Sequence, residues 1–224
     1  MIPWRQLDSA TVPGGGDTLR LMQRGQEFAI MLGRIELMNS RRSGSEVALA
    51  TLGCRHLAGR AGARVLIGGL GMGFTLRAAL ALLPADARVT VAELVPAVVA
   101  WARGPMADLH GGSLADPRVT IVEGDVGAVI AAGTGGFDAI LLDVDNGPDG
   151  LTRADNDRLY GAAGLAAARA ALRPGGVLAV WSAGDDPRFV RRLREAGFTV
   201  SQSTARAHGK RGTKHVIWLA ARPA

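Results

Sequence analysis

Residues 65–80 read VLIGGLGMGFTLRAAL: a short aliphatic run, four glycines in the six residues 68–73, then apolar residues at helical spacing. A strand that ends in glycines and turns directly into a helix lets the backbone approach whatever lies beyond the strand's carboxyl end. A pyrophosphate, a nucleoside sulfonium and a simple packing constraint all satisfy that description. The choice rests on what surrounds the stretch.

Outward from it, strand and helix patterns alternate. Strands are expected at 64–69, 88–93, 118–123, 137–143 and 176–182, with helices at 74–83, 95–108, 126–132 and 156–172. The strands are near-continuous Val/Ile/Leu runs, as in a parallel sheet covered on both faces. RPGG at 173–176 reads as a helix stop before a strand. A helix at 187–197 is followed by two strands, FTVSQS and KHVIWLAAR, with no long helix between them. A doubly wound sheet closing in such an antiparallel hairpin predicts an α/β chain of the Rossmann-like, S-adenosylmethionine (SAM)-dependent methyltransferase fold.

Upstream, residues 18–38 alternate in short stretches broken at Gly25 and Gly33 and predict a β-hairpin or small meander, entered through the PGGG turn. Residues 45–58 carry apolar groups at helical spacing, with Ser45 placed to act as N-cap. The expected division is a β-appendage over 1–44 and a Rossmann-like SAM-binding catalytic domain over 45–224. At 224 residues the chain can bury roughly 70% of its unfolded surface without a metal or disulfide.

Composition narrows the function classes. The net charge of +6 raises the question of nucleic acid, but arginine outnumbers lysine 24 to 2 amid abundant Ala and Gly, which points to coding bias. The one local basic cluster, ARAHGKRGTKH at 205–215, carries no recognised nucleic-acid motif, so nucleic acid is not an expected partner. Cys54 is the single cysteine, which excludes an intrachain disulfide and a cysteine zinc cluster and suits a reducing cytoplasm. No metal is expected from four histidines without ligand spacing. The start lacks a signal-peptide pattern, and no stretch of about 18 residues is uniformly apolar, so the expectation is a cytoplasmic chain with no membrane partner.

In an open α/β sheet, ligands lie beyond the strand carboxyl ends at the switch in strand order. The expected ends carry Gly68, Gly69, Gly71 and Gly73, then Glu93, Asp125 and Asp143, with Asp145 close by. The dinucleotide pattern G-x-G-x-x-G fails, because its last position falls on Phe74 or Leu76. Gly69, Gly71 and Gly73 instead form G-x-G-x-G, the spacing of SAM sites. Glu93, 20 residues beyond Gly73, is placed to accept from both ribose hydroxyls, since a carboxylate offers two acceptor oxygens. Asp125 would accept from the adenine amino group. The competing readings are a structural glycine turn and an acid that merely caps a helix.

From about residue 30 onward the chain resembles the spermidine synthases and their SAM-dependent methyltransferase-like relatives. The resemblance is carried by VLIGGLGMGFTLRAAL, VTVAEL, DPRVTIVEGD, FDAILLDVDNGPD and DNDRLY…ALRPGGVL. It implies that Asp143 matches the catalytic base, that Tyr160 lines an acceptor pocket, and that the N-terminal strands help form a homodimer. Three departures bear on the reaction. The family's loop GGGDGG, whose Asp holds the amine of decarboxylated SAM, is GGLGMG here. Its Tyr-His pair before the first strand is replaced by VALA at 47–50. Its DSSDP is DVDNGP at 143–148, with Asn146 at the second acidic position and Asp145 displaced by one.

A loop without an acid makes room for the carboxylate of SAM. The expected reaction is therefore methyl transfer from SAM to a small acceptor, amines included. Aminopropyl transfer from decarboxylated SAM to a diamine, and non-catalytic nucleoside binding, stand as alternatives. Asp143 is the expected base and Asp145 its catalytic partner, while Asp149 and Tyr160 are expected to meet the acceptor. The stretch Asp145–Asp149 equally reads as a tight turn. Ser40 and Arg41 could cover the cofactor. Trp181 and Asp185 follow the fifth strand, and His208 and His215 flank the basic loop, without assigned roles.

Overall fold

The computed structural model describes residues 2–16, 18–144, 158–208 and 211–224. Four antiparallel strands come first: β1 (Arg5–Thr11), β2 (Thr18–Arg24), β3 (Glu27–Leu32) and β4 (Ile35–Asn39), paired in chain order. The meander expected from residue 18 is there, and β1 extends it. β1 escapes a sequence reading because it is largely solvent-exposed and polar, with no buried residue to mark a period. It is tied down by its ladder to β2 and by Asp8, which accepts a 2.6 Å hydrogen bond from the Trp101 indole.

The remainder forms a seven-stranded sheet. Its elements in chain order are α1 (Gly44–Cys54), β5 (Arg64–Gly68), α2 (Phe74–Leu82), β6 (Arg88–Glu93), α3 (Pro96–Arg103), α4 (Ala107–His110), β7 (Val119–Glu123), α5 (Val126–Ala132), β8 (Phe137–Leu142), α6 (Ala162–Ala171), β9 (Leu172–Ser182), α7 (Pro187–Glu195), β10 (Thr199–His208) and β11 (Arg211–Ala221). Across the sheet they run β10-β11-β9-β8-β5-β6-β7. β5 to β9 are parallel, and β11 is antiparallel to both β9 and β10. This is the doubly wound sheet with a closing antiparallel hairpin that the sequence implies. β5 pairs with β6 on one side and β8 on the other, so the strand order reverses between β5 and β8. Their carboxyl ends, Gly68 and Leu142, open onto the place where ligands bind in such sheets.

Alternate residues of each central strand enter two cores, as a two-residue period requires. Val65, Ile67, Leu141, Ala179 and Ile217 pack with α1, α2 and the N-terminal sheet. Leu66, Ile140, Leu178 and Trp218 pack with α5, α6 and α7, where Trp218 stands edge-on to Phe189 at 4.9 Å between ring centroids. Gly53 lets α1 sit directly on Leu141 and Ala179.

Three local expectations are corrected. RPGG does not stop a helix ahead of the strand; it lies inside β9 as an irregularity, where the ladder to β8 passes from Leu172 to Val177. Gly175 takes φ 77°, and the segment is held from the other side by Arg222, whose carbonyl accepts from Gly175 N–H and whose N–H donates to the Gly176 carbonyl. The helix over 95–108 is two helices separated at Gly104. Ser45 is not the cap of α1: the helix begins a residue earlier, and Ser45 Oγ bonds to Glu46 instead.

Candidate functional site at the strand carboxyl ends

Beyond β5 the backbone makes a tight loop in which Gly69, Gly71 and Gly73 have φ of 88°, 48° and 75°. At Gly69 the requirement is double, since a Cβ there would come within 2.6 Å of the Asp143 carbonyl oxygen. The two strand ends are sewn together at this point, Asp143 N–H donating to the Gly68 carbonyl at 3.0 Å and Gly69 N–H to that of Ala92 at 2.8 Å. Gly73 is the residue before α2, and His110 packs against it so closely that a side chain there would strike the imidazole.

Glu93 closes β6 and is buried. One of its oxygens accepts from Leu70 N–H at 2.8 Å and the other from Val95 N–H at 2.9 Å. Burial pushes its carboxyl upward, and these amides, with those of Gly71 and Leu94, pull the other way. A carboxylate has about four acceptor positions, so ribose hydroxyls can still be received, but the first task of Glu93 is to hold the glycine loop. Asp125 is the N-cap of α5, accepting from Gly127 N–H at 2.9 Å, while its other oxygen is not engaged among the described residues.

On the other side of the loop lies a cavity of about 240 Å³. Gly71, Met72, Gly73 and Asp143 line it, together with Ser45 and Glu46 of α1. Arg42, Trp181 and His215 are among the other residues that line it. Neither Glu93 nor Asp125 lines this cavity. Asp143 is half-buried, and its Oδ2 accepts from Thr75 Oγ1 at 2.7 Å. Burial, with the negative charge of Glu46 added, pushes its pKa up to about 7, against the Thr75 bond. Such a group exchanges a proton near neutral pH.

Other expected residues are placed elsewhere. Tyr160 does not line the cavity; it is 1% exposed, in the core beneath α7, edge-on to Phe189 at 5.6 Å. Asp145 and Asp149 lie outside the described residues. Ser40 Oγ accepts from Phe28 N–H, and Arg41 stands 3.8 Å from Glu27, so both belong to the N-terminal sheet, while the next residue, Arg42, reaches the cavity. Asp185 is exposed, and Trp181 and His215 meet on the cavity wall, ring centroids 4.7 Å apart.

Glu46 and Arg42 on the cavity lining, and His110 packed against Gly73, carry no motif and were not legible from the sequence. Both ring nitrogens of His110 lack a hydrogen-bond partner among the described residues, and burial, assisted by Arg77, pushes its pKa down to about 4. Among the described residues no group of three His, Cys, Asp or Glu could hold a metal ion, and no helix is long and apolar enough to cross a membrane.

The glycine loop, the acid ending β6 and the strand order define a Rossmann-like fold of the SAM-dependent methyltransferase type. No family model matches the sequence. The polyamine aminopropyltransferases of Mycobacterium tuberculosis (strain H37Rv) and Mycobacterium bovis are each 35% identical over 150 residues, 62% of this chain and 28% of theirs. That of Corynebacterium efficiens is 36% identical over 100 residues, 43% of this chain and 18% of its own. The matched part thus spans under a third of the length of these relatives. Among solved structures, spermidine synthase from Thermotoga maritima superposes with a TM-score of 0.75 at 18% identity, over 97% of this chain and 72% of that one. A probable spermidine synthase from Corynebacterium glutamicum gives 0.66 at 16% identity, over 97% and 79%. The matched part of the sequence is similar to polyamine aminopropyltransferases, and the fold is similar to that of spermidine synthases.

Proposed function

We propose that the chain is a transferase that moves an aminopropyl group from decarboxylated SAM to an amine acceptor. The observation that carries the reading is the position of Asp143: at the strand switch point, on the wall of a cavity shared with the glycine loop, and titrating near neutrality. The similarity to polyamine aminopropyltransferases favours aminopropyl over the methyl transfer expected from the loop. The loop fits a donor of this kind, since Gly71 and Gly73 present bare backbone to the cavity and a Cβ on Gly71 would crowd Met38 Sδ at 2.9 Å.

When bound, the sulfonium donor supplies an electrophilic carbon and a thioether leaving group. As the amine nitrogen forms its bond to that carbon, the C–S electron pair returns to sulfur. Asp143 takes the proton that the amine sheds, and its raised pKa makes it a competent acceptor there. Thr75 holds the carboxylate in place through Oδ2, and Oδ1, which accepts no hydrogen bond among the described residues, is left for the amine. Glu93 fixes the loop, and with Asp125 it presents acceptors to the nucleoside end.

Methyl transfer from SAM is the second reading. It is favoured by the loop without an acid and by Arg42, whose guanidinium lines the cavity with no ion pair among the described residues and could meet a carboxylate. Titration calorimetry with decarboxylated SAM and SAM in parallel, NAD as control, decides between them. Tighter binding of decarboxylated SAM supports aminopropyl transfer, and tighter binding of SAM restores methyl transfer. Binding of neither removes both. In the same proposal residues 1–44 form an appendage to a catalytic unit at 45–224, and the chain works in the cytoplasm as a homodimer on a small-molecule acceptor. Light scattering that reports a monomer at micromolar concentration would remove the dimer.

A further inference from the structure

The cavity wall contributed by α1 carries a hydrogen-bonded relay that no sequence motif includes. His215 Nδ1, on β11, lies 2.9 Å from Ser45 Oγ, and Ser45 Oγ lies 2.7 Å from Glu46 Oε2. A serine hydroxyl has one proton, and a carboxylate can only accept, so that proton goes to Glu46. Ser45 must then accept from His215, which fixes the imidazole as the Nδ1–H tautomer. Burial, and after it the charge of Arg42, hold its pKa below the ordinary value and so favour the neutral ring. Trp181, edge-on at 4.7 Å, fixes its plane.

Ser45 is itself 1% exposed, so the middle of the relay is shielded from water, while Glu46 and His215 at its ends are half-buried. It orients one oxygen of Glu46. The other accepts no hydrogen bond among the described residues, and Glu46 faces the cavity with Asp143. The remaining charged groups on this wall are Glu36, whose Oε1 accepts from Asn39 at 2.7 Å, and Arg42.

We propose that Glu46, aimed by the His215–Ser45 relay, is a substrate-binding residue of the transfer reaction, receiving a cationic nitrogen in the cavity it shares with Asp143. His215 and Ser45 are positioning residues that act through it. This inference rests on the reading of the cavity as a transferase site. It also gives Glu46 a second effect: its charge is one of the two causes that raise Asp143, the other being burial. The groups acting on Asp143 are then Glu46 and Thr75 directly, with Glu36, Arg42 and His215 on the surrounding wall.

The test uses the full chain with decarboxylated SAM as donor and 1,4-diaminobutane as acceptor probe, for the wild type and for Glu46→Gln, Ser45→Ala, His215→Asn and His215→Phe. Glu46→Gln is expected to raise the acceptor KM at least tenfold with a smaller change in kcat. It should also move the acid limb of the kcat/KM profile to lower pH, because Asp143 loses a repelling neighbour. Affinity for the nucleoside product methylthioadenosine, which carries no ammonium, should stay within twofold. His215→Asn keeps a donor near Nδ1 and should retain a near-wild-type KM, whereas His215→Phe and Ser45→Ala should each raise it several-fold. An unchanged acceptor KM and acid limb in Glu46→Gln overturns the inference while the wild type's turnover leaves the transferase reading standing. Equal weakening of diaminobutane and methylthioadenosine also overturns it, by showing a general structural effect. A wild type that transfers nothing overturns the transferase reading, and this inference with it.

Discussion

Two pairs of acids stand at the same edge of the sheet and are held in opposite ways. Glu93 and Asp125, at the ends of β6 and β7, accept from backbone amides of the next loop or helix, Glu93 through both oxygens and Asp125 through one, and neither lines the cavity. Asp143 and Glu46, on the β8 side, take one hydroxyl each, from Thr75 and Ser45, and face a cavity. A carboxylate capped by its own backbone is architecture first, whatever ligand it also receives. A carboxylate with an unengaged oxygen on a cavity, crowded by a second acid, stores electrostatic cost that a cationic ligand or a proton relieves. The two ends of the proposed site thus differ in character: one builds the shape of the loop, and the other is the end to which the proposed reaction assigns the chemistry.

The sharpest way to break this contrast is Asp143→Asn, expected to lower turnover by 10²–10⁴-fold, as loss of a general base does, while raising stability at pH 8. The sign follows from the shift. The folded-state pKa of about 7 lies above the ordinary 3.8, so the native state holds the proton more tightly, and stability falls as pH rises from about 4 through 7. The Asn variant lacks that loss, and the gain at pH 8 should be on the order of 2–4 kcal/mol. Thermal melts at pH 5 and pH 8 check it: a variant no more stable than wild type at pH 8 would mean that Asp143 is not held out of water.

Gly69→Ala should cost about 3 kcal/mol, because the left-handed backbone and the Asp143 carbonyl both oppose a Cβ. For a chain of this size that corresponds to a Tm drop of roughly 6–12 °C. Glu93→Ala leaves the Leu70 and Val95 amides without acceptors and should cost about 2 kcal/mol, with weakened nucleoside binding in calorimetry. Asp125→Ala removes a helix cap worth about 1 kcal/mol. If it weakened nucleoside binding more than Glu93→Ala does, with little loss of stability, Asp125 would belong with the ligand-facing acids and the contrast would need redrawing.

The central strands, their parallel order and the closing hairpin were legible because buried parallel strands are written as unbroken aliphatic runs and the glycine loop marks where the first one ends. The places of Gly69, Gly71, Gly73, Glu93, Asp125 and Asp143 were legible for a related reason: each stands at or just beyond a strand end, a position that local pattern defines. Tyr160 shows the limit. A lone tyrosine ahead of a helix reads the same whether it faces a ligand or, as the structure has it, Phe189 and the core. β1 and the RPGG irregularity were missed because pairing partners, Leu21 and Arg20 for β1 and Arg222 for RPGG, decide them from a distance along the chain.

What the sequence determined by itself was therefore everything set by local periodicity and backbone freedom: the fold, the glycine loop and the acids that follow the strands. What only the tertiary structure decided was the company each acid keeps. Ser45 and His215 are 170 residues apart, and Thr75 and Asp143 are separated by 68. Their meeting, and that of Glu46 with Asp143, depends on how α1, α2 and β11 pack around one strand end. A side chain's reach is a few ångströms, so its chemistry is written by neighbours in space, and those are fixed only when the core has closed.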